Sequence, residues 1–125
     1  MSRKTVVIVE DDRDIREVIS YILMGNAYAV ELYGTATDFR NNLKEQLPDV
    51  IVLDIMLPDG DGIAMCKEIK TTPATGHIPV ILMSANKQEQ TRTSCADGFI
   101  SKPFDIDLFK NKIETFLHTQ HPEAG

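Results

Sequence analysis

The sequence predicts an α/β domain: an open parallel sheet with helices on both faces. Three observations predict it. Short apolar runs alternate, along the whole chain, with segments whose apolar residues recur at helical spacing. The runs are continuous rather than alternating with polar residues, as strands covered on both faces require. And 125 residues suffice for one domain with a real core but not for two typical ones.

Each element follows in order. VVIV at 6–9 reads as a buried strand. Ile15, Val18, Ile19, Ile22 and Leu23 then repeat at helical spacing, with Asp12 or Asp14 available as N-cap. YAVELY at 28–33 is a weaker second strand, and Ala36, Phe39, Leu43 and Leu47 mark a second helix punctuated by Pro48. VIVL at 50–53 is a third strand. MLPDGDG at 56–62 is a loop rich in turn residues. Ile63, Cys66 and Ile69 indicate a third helix, PVILM at 79–83 a fourth strand and GFIS at 98–101 a short fifth. Ile106, Phe109, Ile113, Phe116 and Leu117 form the last helix, with Asp105 placed to cap it. The expected domain is 1–119, with 120–125 a polar C-terminal tail. One segment breaks the alternation: 85–98 contains no Leu, Ile, Val, Phe or Met, so a helix there has no apolar stripe to bury.

Composition narrows the function. A net charge of −6 excludes a general nucleic-acid binder, which needs a basic face. No apolar run approaches the ~20 residues that span a bilayer, and the apolar stretch at the start is too short for a secretory signal. Cys66 and Cys95 form no zinc pattern and read as reduced thiols, which fits a cytoplasmic setting. His118 and His121 read as an exposed helix end.

The chemistry gathers at strand ends. In an open α/β sheet, ligands bind beyond the carboxyl ends of the strands. Glu10 and Asp11 follow the first strand, Asp54 the third and Lys102 the fifth, while Ser84 ends the fourth. Closely packed carboxylates repel one another, and burial adds to the cost, so a cation must offset it. Oxygen ligands with open positions suit Mg2+. One of the acids can also act as a nucleophile toward phosphorus, with Lys102 and Ser84 on the phosphoryl oxygens. Taken singly, the same residues read as a helix N-terminus, a turn acid, a strand-end hydroxyl and a solvated lysine.

Together, VVIVEDD, VIVLDIMLPDGDG, IPVILMSA and GFISKPF resemble the signature stretches of the response regulator receiver domain of two-component signalling. The resemblance covers nearly the whole chain. It implies a flavodoxin-like fold with strand order 2-1-3-4-5 and a phosphorylation-activated switch rather than a metabolic enzyme. It also implies that Asp54 accepts a phosphoryl group from a phosphohistidine on a sensor histidine kinase or histidine phosphotransfer protein. Mg2+ would be held by Asp11, Asp54 and the Met56 backbone carbonyl, with Glu10 acting through water. Ser84 would turn toward the phosphoryl group, Lys102 would pair with it, Pro103 would follow a cis peptide, and Phe99 would be the aromatic switch. Asp12 falls past the acidic pair and reads as a helix cap.

Two features depart from the family pattern. The interval from Ser84 to Lys102 is about one helical turn short. With the missing apolar stripe, this predicts a truncated or disordered fourth helix in 86–97, ordering on phosphorylation or partner binding. A monomer is then expected, since dimerisation through the usual fourth-helix face loses its platform; the output partner stays unnamed. Met56 cannot orient an attacking water, although Asn86 can, so a fairly long-lived phosphoform is expected. The alternative function is a pseudo-receiver, a binding module that is never phosphorylated. An aspartate-nucleophile phosphatase usually carries a second acid where Met56 stands, and neither GxGxxG nor a Walker loop is present for a nucleotide-binding fold.

Overall fold

The computed structural model describes residues 3–25, 28–43, 47–86, 88 and 95–119. The elements run β1 (Thr5–Val9), α1 (Arg13–Met24), β2 (Ala29–Tyr33), α2 (Ala36–Leu43), β3 (Val50–Asp54), β4 (Met56–Leu57), β5 (Gly60–Asp61), α3 (Gly62–Thr71), β6 (Val80–Ser84), β7 (Gly98–Ser101) and α4 (Ile106–Thr119). Five parallel strands form one sheet in the order β2-β1-β3-β6-β7. Numbered by strands of this sheet alone, that is 2-1-3-4-5, the flavodoxin-like order. The expected weak helix in 86–97 falls largely on 87 and 89–94, and the tail on 120–125, outside the described residues.

The period-2 alternation of strands divides the core in two. Val7, Val9, Ile51, Leu53, Val80 and Leu82 face one side and pack against Phe39 of α2 and Ile63, Met65, Cys66 and Ile69 of α3. Val6, Ile8, Val50, Val52, Ile81 and Met83 face the other and pack against Ile19 and Leu23 of α1 and Phe109, Ile113 and Leu117 of α4. Each such side chain contributes roughly 1.5–3 kcal/mol through burial. The central strands β3 and β6 are buried at every position, which explains their unbroken apolar runs.

The edges of these patterns differ from expectation. Edge strand β2 is only half-buried, with Leu32 exposed, because one of its flanks has no neighbouring strand. Val18 and Ile106, assigned to apolar stripes, are 46% and 55% exposed. Both sit at the margin of a stripe whose centre meets the sheet. Leu47 lies outside α2 and is 47% exposed. The turn-rich loop at 56–62 contains an unexpected two-strand hairpin, with Met56 opposite Asp61 and Leu57 opposite Gly60.

Asp12 resolves the choice of cap for α1: its carboxylate accepts from the Asp14 and Ile15 amides at 2.8 and 3.2 Å, while Asp14 lies in the first turn. Asp105 does the same for α4 through the Leu108 amide at 3.1 Å. The entry to β7 is clamped as well. Lys70 Nζ donates to Asp97 Oδ2 at 2.8 Å and to the Ile78 carbonyl at 3.0 Å, and Asp97 exchanges two 2.8 Å bonds with the Val80 backbone.

Candidate functional site

Strand order reverses between β1 and β3, so their carboxyl ends open a crevice flanked by β6 and β7. The crevice has a volume of about 500 Å3 and is lined by Glu10, Asp11, Asp54, Met56, Ser84 and Lys102, among others. The fold therefore brings together six of the residues singled out in the sequence. They arrive on rigid strand ends: Asp54 closes β3, Ser84 closes β6, and Lys102 follows β7.

Asp54 is 5% exposed and both of its oxygens are engaged. Oδ1 accepts from the Met56 amide at 2.8 Å, and Oδ2 accepts from Lys102 Nζ at 2.5 Å. The same ammonium lies 2.6 Å from Oε1 of Glu10, which is 1% exposed. That second contact is a charge contact only, since Glu10 Oε1 is buried without a well-directed hydrogen bond. Glu10 Oε2 accepts from the Asp12 amide at 3.0 Å. Burial pushes the Glu10 carboxyl up to about 7, with Lys102 working against the rise. Burial also disfavours the charge on Lys102, but its contacts with Asp54 and Glu10 outweigh it and hold the ammonium above its ordinary range.

The donor set fits a hard divalent cation. One carboxylate oxygen from each of Glu10, Asp11 and Asp54 lies within 4.8 Å of the others. All three ligands are oxygen, Asp11 is exposed, and a buried Glu10 oxygen lacks a directed partner. Asp12 turns away to cap α1.

Ser84 is buried, and its hydroxyl accepts from the Asn86 amide at 3.0 Å while its carbonyl accepts from the Lys102 amide at 2.9 Å. The Lys102–Pro103 peptide is cis. Phe99 is not in the crevice. It is partly buried against the core between the sheet and α2–α3, and its carbonyl accepts from Lys112 Nζ at 3.3 Å. Register pairs Phe99 with Leu82 and Ser101 with Ser84, so one pair of strands links the crevice to the Phe99 side chain.

A profile of the response regulator receiver domain matches residues 6–114. The chain belongs to the response regulator receiver domain family. Receivers of this family are the signalling switches of two-component systems. The phosphate regulon transcriptional regulatory protein PhoB of Escherichia coli K12 is 34% identical to this receiver over 131 aligned residues, covering 99% of this chain and 56% of its own. The chain spans about half the length of the curated relatives it matches. Among solved structures, the receiver domain of a signal transduction histidine kinase from Syntrophus aciditrophicus superposes with a TM-score of 0.84 at 30% identity, over 91% of this chain and 89% of that one. The chemotaxis response regulator CheY4 of Vibrio cholerae shares the fold, with a TM-score of 0.83 at 22% identity over 93% of this chain and all of its own.

Three residues that shape this receiver's site escaped the sequence reading. Arg16 Nη1 reaches back from α1 to the Glu10 carbonyl at 2.7 Å, holding the acidic turn. A cation in a helix's first turn opposes the macrodipole, and that was the available signal. Asp59 caps a different helix: it accepts from the amides of Ala36 and Thr37 at 2.7 and 3.0 Å and from the Thr37 hydroxyl at 2.7 Å. Those bonds, the hydroxyl first, hold its carboxyl below the usual range. Nothing local marks a contact across 23 residues. Gly62 lets α3 start against the Asp54 backbone.

Proposed function

We propose that this receiver is a phosphorylation-activated switch in which Asp54 accepts a phosphoryl group from a phosphohistidine. The observation that carries the reading is the three-way arrangement of Lys102 between the buried carboxylates of Asp54 and Glu10, beside an oxygen-only cation site. The donor would be a sensor histidine kinase or a histidine phosphotransfer protein, and the output partner would be a separate protein or domain.

A carboxylate oxygen of Asp54 attacks phosphorus in line. The P–O bond forms, the P–N bond breaks, and the imidazole leaves with the electron pair and takes up a proton. Lys102 then moves from Asp54 Oδ2 onto a phosphoryl oxygen, and the Met56 amide holds Oδ1 in place. Mg2+, held by Asp11, Asp54 and the Met56 carbonyl with Glu10 reached through water, would neutralise the carboxylates and the incoming phosphoryl charge.

Phosphorylation adds close to two charges and new acceptors. Ser84 turns its hydroxyl toward them, gives up its contact with the Asn86 amide, and leaves space beside β7 for Phe99. The test uses beryllofluoride with Mg2+ as a phosphoryl mimic, read by amide chemical shifts. Wild type should shift at Ser84, Phe99 and Lys102. Ser84→Ala should still bind the mimic but lose most of the shift at Phe99. Equal shifts in both proteins would refute the coupling, and no shift in either would refute the switch.

Met56 is 73% exposed at the mouth of the crevice and offers no hydrogen bond to an attacking water. Met56→Asn supplies one, and should shorten the lifetime of the phosphoform several-fold; an order of magnitude corresponds to about 1.4 kcal/mol of barrier. Decay within seconds that is the same in both proteins would count against this role.

A further inference from the structure

Two thiols lie outside the phosphorylation chemistry. Cys66 sits on α3, fully buried under the sheet, and Cys95 is half-buried just before β7. Both belong to the same side of the core. The Cys95 sulfur lies 4.0 Å from the carbonyl oxygen of Ile63, one turn before Cys66 on α3. A helical side chain leans back over the preceding turn, which directs the Cys66 sulfur to that same spot. Cys95 packs against the core cluster that contains Cys66, so the two side chains are directed at one place. The Asp97 clamp with Lys70 and the Val80 backbone fixes the chain two residues past Cys95, which holds Cys95 beside α3.

We propose that Cys66 and Cys95 form a redox modification site, closed to an intramolecular disulfide by peroxide-class oxidants and reopened by dithiols. Cys95 reacts first, because it alone of the pair reaches solvent. Its sulfur attacks the peroxide, the O–O bond breaks, and Cys95 becomes a sulfenic acid with release of water. The Cys66 sulfur then attacks the Cys95 sulfur. The S–S bond forms, the S–O bond breaks, and the hydroxyl leaves with the Cys66 proton as a second water. The peroxide is reduced by two electrons and the two sulfurs are oxidised to the disulfide. Cys66 suits the second role: it is fully buried, which keeps it from meeting oxidant directly. The crosslink ties α3, before β6, to the entry of β7, after it. Both ends of the segment between Ser84 and β7 are then fixed.

The test is intact mass of the folded full chain after hydrogen peroxide, with alkylation by iodoacetamide in denaturant. Untreated protein should take two alkyl groups. Treated protein should take none, weigh about 2 Da less than the reduced form, and recover both thiols with dithiothreitol. Tryptic digestion should join the peptides bearing Cys66 and Cys95. In Cys66→Ser, Cys95 should be trapped as a dimedone adduct; in Cys95→Ser, Cys66 should survive peroxide and alkylate only after unfolding. Retention of two alkylatable thiols in treated wild type, a disulfide joining two chains, or equal thiol loss in Cys95→Ser would each overturn the proposal.

Discussion

Alanine in place of Gly62 is expected to cost about 2 kcal/mol or more of stability, although alanine ordinarily favours a helix by ~1 kcal/mol over glycine. A methyl at this position would stand 2.7 Å from the Ile55 Cα and closer still to the Asp54 carbonyl oxygen. Both obstacles are backbone, at the buried end of β3 and the buried residue after it, so neither can yield. The requirement is close approach rather than an unusual dihedral, since none of the described glycines has positive φ. Two controls bracket the effect. Gly25→Ala meets nothing within 4 Å, and Gly60→Ala meets the Ala36 side chain at 3.1 Å. Thermal unfolding should leave Gly25→Ala near wild type and lower Gly62→Ala by roughly 10 °C or more. A Gly62→Ala protein as stable as Gly25→Ala would show that α3 does not press on the Asp54 backbone as described. Because that backbone positions Asp54, the proposed phosphoacceptor, phosphate uptake should fall along with stability.

Lys102→Met is expected to have the second large effect, and metal should reverse part of it. The ammonium is 2.5 Å from Asp54 Oδ2 and 2.6 Å from Glu10 Oε1, both on buried carboxylates. Removing it leaves two acids facing each other in a region shielded from water, a loss on the order of 3 kcal/mol without a cation. The same change removes the charge that competes with a metal for these oxygens. Repulsion between an ammonium and a nearby divalent ion is on the order of 1–3 kcal/mol in a partly solvated site. Mg2+ should therefore bind the variant at least about tenfold more tightly than wild type. Its unfolding temperature should rise with Mg2+ far more steeply than that of wild type. Calorimetry and thermal unfolding across a Mg2+ series measure both. Unchanged Mg2+ affinity would mean that Lys102 and the cation do not share the pocket.

Much of this molecule was legible in the sequence, for identifiable reasons. Strands β1, β3 and β6 were readable because continuous apolar runs occur where a strand is covered on both faces. The helix seams were readable because Ile19, Leu23, Phe109, Ile113 and Leu117 obey a 3.6-residue period. The margins were not, because periodicity locates the centre of a stripe and not its width, as exposed Val18 and Ile106 show. Two-residue strands such as β4 and β5 lie below what alternation can reveal, and their residues carry turn chemistry anyway. The site was legible as a set of strand-end residues, but their convergence depended on strand order, which came from family resemblance rather than periodicity. Asp59 and Arg16 stayed hidden because each acts on a backbone group supplied by another part of the chain.

The measurement to make first is the intact mass of the folded protein after incubation with acetyl phosphate or phosphoramidate, with Mg2+ or with a chelator, for wild type and Asp54→Asn. The expected result is a single phosphate adduct on wild type that requires Mg2+ and is absent from Asp54→Asn. No adduct with either donor would contradict the switch and favour a pseudo-receiver that binds partners without phosphorylation. An equal adduct on Asp54→Asn would place the phosphoryl chemistry on another residue.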